Sequence, residues 1–293
     1  MQGAFAPLYI HIAIKQKIME TENIKKNFCG MERLYHFTEF ETVLKIIESN
    51  RQHFGKLKGT NDICENSKVI YTKIKAGSIP EWYDQRMASE LSHYQQMSLT
   101  SDGKRRKGFD LQQMWGMYAD NGKGVCLVYD KKEIVKALST EDFKGPVTYE
   151  MEVTPDTTIE NVEDKDLTAY IKKNKNFLFF RKRKEWEWEQ EYRIIRRSDN
   201  PEATEEIDIS KALKFIIVCK AESLDPTYSV LGSKEYKTLK KVAGEIPILT
   251  YSHFCDDMIL ASDTDCTIWS YRYGCNQEFT PDDSKLNIGM TEV

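Results

Sequence analysis

Glu187, Glu189 and Glu191 stand two residues apart, and Arg193 continues the spacing. Read as a strand over Trp186–Ile195, the segment puts alternate side chains on one face. The three carboxylates and Arg193 then share a side, with Trp186, Trp188, Tyr192 and Ile194 opposite. Carboxylates crowded this way raise one another's pKa, as acids at catalytic sites do. A solvated edge strand with Arg193 as counter-ion accounts for the same pattern. His36 closes a short apolar strand just before a helix start, a position where binding residues sit; a satisfied structural histidine is the plain alternative. Ser98, Thr100 and Ser101 offer hydroxyls either to a ligand or to the end of their own strand.

A second constellation is basic. Residues 172–184 hold seven Lys or Arg residues, Arg181 and Arg183 among them, interleaved with Phe177, Phe179 and Phe180. With Lys104, Arg105 and Arg106 they would form a nucleic-acid patch with stacking rings. An amphipathic helix with a solvated basic side is the other reading. Gly122-Lys123-Gly124 lacks the length of a phosphate loop.

The bulk numbers narrow the classes. The chain has 293 residues and a net charge of −4, which opposes bulk capture of nucleic acid or of an anionic membrane. Seven cysteines, an odd count without a CxxC pair, read as reduced thiols in a cytoplasmic protein. Five histidines, none at ligand spacing from a cysteine, give no expectation of a metal. No apolar run approaches the ~20 residues that span a bilayer, so no membrane partner is expected.

The elements that must position these residues follow from periodicity. Leu34–Phe37 is a strand, and Thr38 with Glu41 forms a capping box. Phe40, Val43, Leu44 and Ile47 mark one helix face, ended by Ser49-Asn50. Val69–Ile74 and Gln96–Ser101 read as strands, and Pro80–His93 as a helix. Asp110 caps a helix whose stripe is Leu111, Met114, Trp115 and Tyr118, and Asn121-Gly122 stops it. Gly124–Tyr129 is a buried strand, Lys131–Leu138 a helix, and Val147–Val153 alternates as a strand. Asp164–Phe180 reads as one helix, Leu213–Cys219 as a strand, Ser233–Val242 as a helix and Ile246–Tyr251 as a strand. Residues 1–30 show no such order and form an N-terminal extension, with Met31 an alternative start. Residues 31–279 read as one domain and 280–293 as a tail. Strands and helices mix without steady alternation, so the fold class is α+β, with mixed or antiparallel sheets and flanking helices.

Several blocks in order carry a resemblance. They are Leu34-Tyr35-His36-Phe37-Thr38, Asn61-Asp62, Met114-Trp115-Gly116-Met117-Tyr118-Ala119, Gly122-Lys123-Gly124-Val125-Cys126, and Lys184-Glu185-Trp186 with Glu189-Gln190-Glu191-Tyr192-Arg193. Over roughly 31–220 the chain resembles a bacterial family known as domain of unknown function 2971, to which no activity is attached. More distantly it resembles the ADP-ribosyltransferase superfamily, with His36, the Ser98–Ser101 stretch and Glu189/Glu191 in the expected order.

That second resemblance implies an ADP-ribosyltransferase-like fold and NAD as substrate. Glu191 would stabilise the oxocarbenium-like charge and hold a ribose hydroxyl, with Glu189 as base toward the acceptor. His36 would orient the ribose, and Thr38, Ser98, Thr100 and Ser101 would support the pocket. Tyr118, a core stripe residue on its own reading, would stack on nicotinamide. The acceptor would be a nucleic acid or protein, in a toxin or antiphage effector. Glu191→Gln would then end nicotinamide release with the melting temperature nearly unchanged. A nucleotide sensor without catalysis, or a nucleic-acid-binding module on the basic run, is the alternative.

Overall fold

The computed structural model describes residues 19–57, 73–74, 81–104, 106–151, 158–159, 167–220, 234–254, 257–262, 267–272 and 277–279. Residues 1–18, 58–72, Arg105, 152–157 and 280–293 lie outside them, and with them Asn61-Asp62 and most of the Val69–Ile74 strand. Among the described residues no helix is long and apolar enough to cross a membrane.

The architecture is mixed α and β. The strands in chain order are β1 (Arg33–Thr38), β2 (Arg51–His53), β3 (Gly55–Lys56), β4 (Lys73–Ile74), β5 (Tyr94–Ser101), β6 (Val125–Asp130), β7 (Phe143–Pro146), β8 (Thr148–Glu150) and β9 (Thr158–Ile159). They continue with β10 (Arg181–Arg183), β11 (Glu191–Arg197), β12 (Glu206–Asp208), β13 (Leu213–Lys220), β14 (Ile248–Phe254), β15 (Asp257–Ser262), β16 (Thr267–Arg272) and β17 (Gln277–Phe279). One large sheet runs β17-β16-β15-β14-β13-β6-β1-β5-β11-β7, with β3 paired to β5. Only β13 and β14 are parallel within it. Its right-hand half, β6-β1-β5-β11-β7, is antiparallel throughout.

Alternation along the central strands builds two cores. Leu34, Leu127, Tyr129, Ile216 and Val218 face one side, packed with the helices Phe40–Ser49 and Lys234–Ala243. Tyr35, Phe37, Cys126, Val128 and Ile217 face the other, packed with Met114 and Trp115 of the helix Gln112–Tyr118. A third cluster joins the helix Glu81–Ser92 to Leu167–Lys173 and Lys175–Phe179 beside β11. A helix at 19–29, unforeseen in the sequence, lays Phe28 into the second core at 1% exposure. Arg33 caps it by donating to the Phe28 carbonyl, while its other nitrogens hold Asp102.

Several expected details change. Thr38 does not cap the first helix: Glu39 is its N-cap, without a side-chain bond, because β1 runs through Thr38. Asp110 is no cap either. It ends a 3-10 turn and accepts from Arg106 (2.6 Å) and Tyr251 (2.9 Å), while Leu111 precedes the helix. The helix expected up to Phe180 is broken at Asn174, whose side chain donates back to the Tyr170 carbonyl. Of the strand expected at Val147–Val153, the described residues Thr148–Glu150 are a strand paired with β10, and Glu152 and Val153 lie outside the described residues.

The strand expected over Trp186–Ile195 is the change that matters most. Lys184–Glu189 is a 3-10 helix, and Gln190 follows in the left-handed region at φ 49°. The β5 ladder begins only at Glu191↔Thr100. Charge and tryptophan alternation before that point is carried by a turn in which Trp186 and Trp188 pack ring to ring at 6.0 Å.

Candidate functional site

A partly open cavity of about 290 Å³ lies where β1 and β5 part. Their pairing is limited to Leu34↔Ser101 and Tyr35↔Thr100. Further along, β3 takes over as neighbour of β5, at Gly55↔Gln96. Among the described residues, 97–99 therefore have no ladder partner on this edge, and β1 and β3 leave a gap there. Ser98 is exposed although its strand is central, because it faces the opening.

Polar residues line the opening from β5. Gln96, Ser98 and Thr100 alternate with Met97 and Leu99, which enter the first core. Register places Glu191 beside Thr100 and Arg193 beside Ser98, on the same face. Arg193 is 0% exposed. Its Nε and Nη2 grip the two Glu191 oxygens at 2.7 Å each, and its Nη1 donates to the Phe179 carbonyl. Burial pushes Glu191 up, but the Arg193 charge and hydrogen bonds, with Lys182 and Ser98, outweigh it and hold the carboxyl down at about 2.

Glu189 reaches the cavity from the 3-10 helix, not from a strand face. It is 4% exposed. It accepts from the Tyr118 hydroxyl at 2.9 Å and from Lys182 Nζ at 2.6 Å. Burial raises its pKa above the ordinary value, with Lys182 opposing and Glu191 adding to the rise. Glu187 takes no part: it is exposed and paired with Lys184 at 2.5 Å. The expected three-carboxylate face is thus two acids and two cations in a buried quartet.

His36 lines the same cavity but from the other side of the sheet. Tyr35 pairs with Thr100, so alternation gives His36 to the opposite face. The parted strands let its ring enter the gap, 3.4 Å from Gln52 Nε2. Desolvation lowers its pKa to about 4, against a weaker bond to the Ser98 backbone, so the ring is neutral at pH 7.

The structure thus brings His36, Ser98, Thr100, Tyr118, Glu189 and Glu191 to one cavity. Thr38 is not among its lining residues, and Ser101 turns to the Gln190 carbonyl at 2.9 Å. The expectation that Glu191→Gln would leave stability untouched does not survive the Arg193 grip. Gln52, Lys56, Gln96 and Lys182 were missed as lining residues. The legible signal for Gln96 was an all-polar period-two run, Gln96-Ser98-Thr100, inside a strand whose other face is apolar.

The basic constellation divides. Phe177, Phe179 and Phe180 are buried in the third core, so their rings are no stacking platform. Lys182 is buried against Glu189. Arg181 sits over the Phe177 ring and 3.6 Å from Glu150, while Arg183 is exposed. Lys104 is exposed, Arg106 holds Asp110, and Arg105 lies outside the described residues. Among the described residues no group of His, Cys, Asp and Glu is placed to hold a metal ion. Cys126 and Cys219 are free thiols whose pKa burial raises.

No curated protein and no solved structure matches the chain. Residues 114–194, which carry Tyr118, Lys182 and the Glu189–Arg193 block, match the model of a family described as protein of unknown function (DUF2971).

Proposed function

We propose that the cavity binds NAD through its nicotinamide–ribose half and transfers ADP-ribose to a macromolecular acceptor, on an ADP-ribosyltransferase-like fold. The supporting observation is the convergence of His36, Ser98, Thr100, Tyr118, Glu189 and Glu191 on one opening. At about 290 Å³ the cavity is at the small end of ligand sites, sized for one nucleoside-like moiety. The rest of a dinucleotide would leave through the open side.

Both roles that the sequence divided between the two acids fall to Glu189. Glu191 has both oxygens held by Arg193 and serves to fix the guanidinium and the Ser98 hydroxyl. Glu189 has one donor on each oxygen, and a carboxylate accepts about four hydrogen bonds, so it keeps lone pairs for substrate. In transfer, the C1′–N bond to nicotinamide breaks and its electron pair neutralises the pyridinium. The acceptor nucleophile bonds to C1′ and gives its proton to Glu189. Before that, the ionised Glu189 faces the oxocarbenium-like charge. Neutral His36 and Thr100 hydrogen-bond ribose hydroxyls, and Tyr118 meets the nicotinamide ring. A toxin or antiphage role follows from the superfamily resemblance alone.

The test is nicotinamide release from NAD in the presence of nucleic acid and protein acceptors, with mass detection of the added ADP-ribose. Glu189→Gln is expected to abolish release; it also leaves buried Lys182 without its 2.6 Å partner, so its melting temperature falls and release is read at a temperature where circular dichroism shows the variant folded. Release at the wild-type rate by that variant refutes the assignment. Tight NAD binding with no turnover would select the sensor reading instead.

A further inference from the structure

A second hollow, of about 360 Å³, lies at the β7 end of the large sheet. It arises where the chain changes partners at Val147. The Val147 amide donates to the Glu191 carbonyl, continuing the β7–β11 pairing, whereas the next amide, of Thr148, donates to the Phe180 carbonyl. β7 therefore stays with β11, and β8 leaves to pair with β10. Phe143 and Phe180 wall the space between them.

Three cations line this space: Lys144 on β7, Lys175 on the helix Lys175–Phe179, and Arg181 on β10. Two of them are seated on rings. Lys175 Nζ stands 5.1 Å from the Phe143 centroid, and the Arg181 guanidinium 5.7 Å from that of Phe177. Alternation along β10 sends Lys182 to the Glu189 cavity and its neighbour Arg181 to this hollow. Among the described lining residues the one acid is Glu150, 3.6 Å from Arg181 Nε, longer than a hydrogen bond. Three cations against one carboxylate leave a surplus of two positive charges. That surplus stands on a chain whose net charge is −4.

Like charges gathered on a concave wall repel one another, and an anion seated among them relieves the repulsion. A phosphate monoester, with a charge of about −1.5 to −2 at pH 7, matches a surplus of two. A carboxylate or a phosphodiester carries half of it. The planar fork of Arg181 suits phosphate oxygens, and the two lysines act as point charges. The volume is that of a small-ligand site, with room for the phosphate and one attached group.

We propose that this hollow is a second ligand site, which takes a phosphate monoester on Lys144, Lys175 and Arg181. It is separate from the cavity between β1 and β5 and does not depend on the NAD reading. A free nucleotide and the phosphorylated end of a nucleic-acid strand present the same dianion.

Calorimetry on the full chain compares two pairs of probes. One is AMP against adenosine. The other is a short single-stranded DNA carrying a 5′-phosphate against the same strand with a 5′-hydroxyl. In at least one pair the phosphorylated member is expected to bind at least ~10-fold more tightly. Preference for AMP names the free source, and preference for the phosphorylated strand names the strand end. Lys144→Met with Lys175→Met is expected to weaken that binding at least ~10-fold. Both lysines are exposed, so the melting temperature stays close to wild type. Lys237→Met with Lys241→Met removes the same charge from exposed positions on the helix Lys234–Ala243 and is expected to change binding by under ~2-fold. Glu150→Gln deletes the opposing charge and is expected to tighten it. No preference for phosphate in either pair overturns the proposal. So does a preference that persists without Lys144 and Lys175, or one that both double variants weaken equally.

Discussion

Replacing Glu191 by Gln removes one charge from a pair sealed inside the sheet. Arg193 is 0% exposed and has Glu191 on two of its nitrogens, so the guanidinium is left buried with an amide in place of its counter-ion. Breaking a buried pair in this way costs about 3–5 kcal/mol. Titration gives an independent figure. The Glu191 carboxyl is held at about 2 against an ordinary 4.5, worth roughly 3 kcal/mol at 1.36 kcal/mol per pKa unit. The sign follows from the lowered folded value. The stabilisation is complete above 4.5 and is lost as pH falls toward 2. For a chain of this size, ~3 kcal/mol lowers the melting temperature by roughly 6–12 °C. Thermal and urea denaturation at pH 7 measure it, with a pH series from 5 to 2 following the acid limb. Wild-type protein loses stability across that series, and Glu191→Gln starts lower and loses less. Glu191→Leu combined with Arg193→Met, which removes both charges, is expected to recover part of the loss. A single variant melting within ~2 °C of wild type, with an unchanged acid limb, refutes the buried grip.

Three further outcomes are expected. The His36 ring, lowered to about 4, stays neutral in the folded chain while the unfolded one protonates near 6.5; stability is therefore lost as pH falls from 6.5 to 4, and His36→Asn flattens that loss in denaturant titrations. Because Lys182 opposes the burial-driven rise of Glu189, Lys182→Met moves the acid limb of nicotinamide release to higher pH; an unmoved limb excludes Glu189 as the titrating base. A Cβ at Gly124 would lie 2.3 Å from the Thr38 carbonyl oxygen, whereas one at Gly116 meets nothing within 4 Å; Gly124→Ala should lower the melting temperature and Gly116→Ala, inside a helix, raise it by the equivalent of up to ~1 kcal/mol.

The first strand and helix, the Gln96–Ser101 strand and the Val125 strand were legible because their burial is one-dimensional. Leu34, Val43, Ile47 and Leu127 each repeat at the period of a single element. The parting of β1 from β5 was not, because it depends on β3, a two-residue strand whose pairing leaves no periodic mark. The same holds for β15, β16 and β17, to which periodicity assigned no element and which add one after another to the edge at β14. Lys182 was misread for a related reason. A lysine within a basic run looks solvated until a buried carboxylate, seven residues on, is folded back against it.

Glu189 and Glu191 show why spacing alone cannot assign chemistry. On one regular strand, two residues apart, they would meet the same neighbours and titrate alike. The left-handed turn at Gln190 ends that equivalence. It stops the 3-10 helix after Glu189 and starts β11 at Glu191, while the Gln190 carbonyl is tied to the Ser101 backbone and hydroxyl at 2.9 Å. One acid then inherits the Arg193 grip and falls to about 2; the other is raised by burial, against the opposing pull of Lys182 and Tyr118. Two carboxyls driven apart in this way can divide the work of a site, one permanently charged and one able to exchange a proton. A non-glycine residue in this conformation costs about 1–3 kcal/mol, and it sits at the one position that separates the two environments.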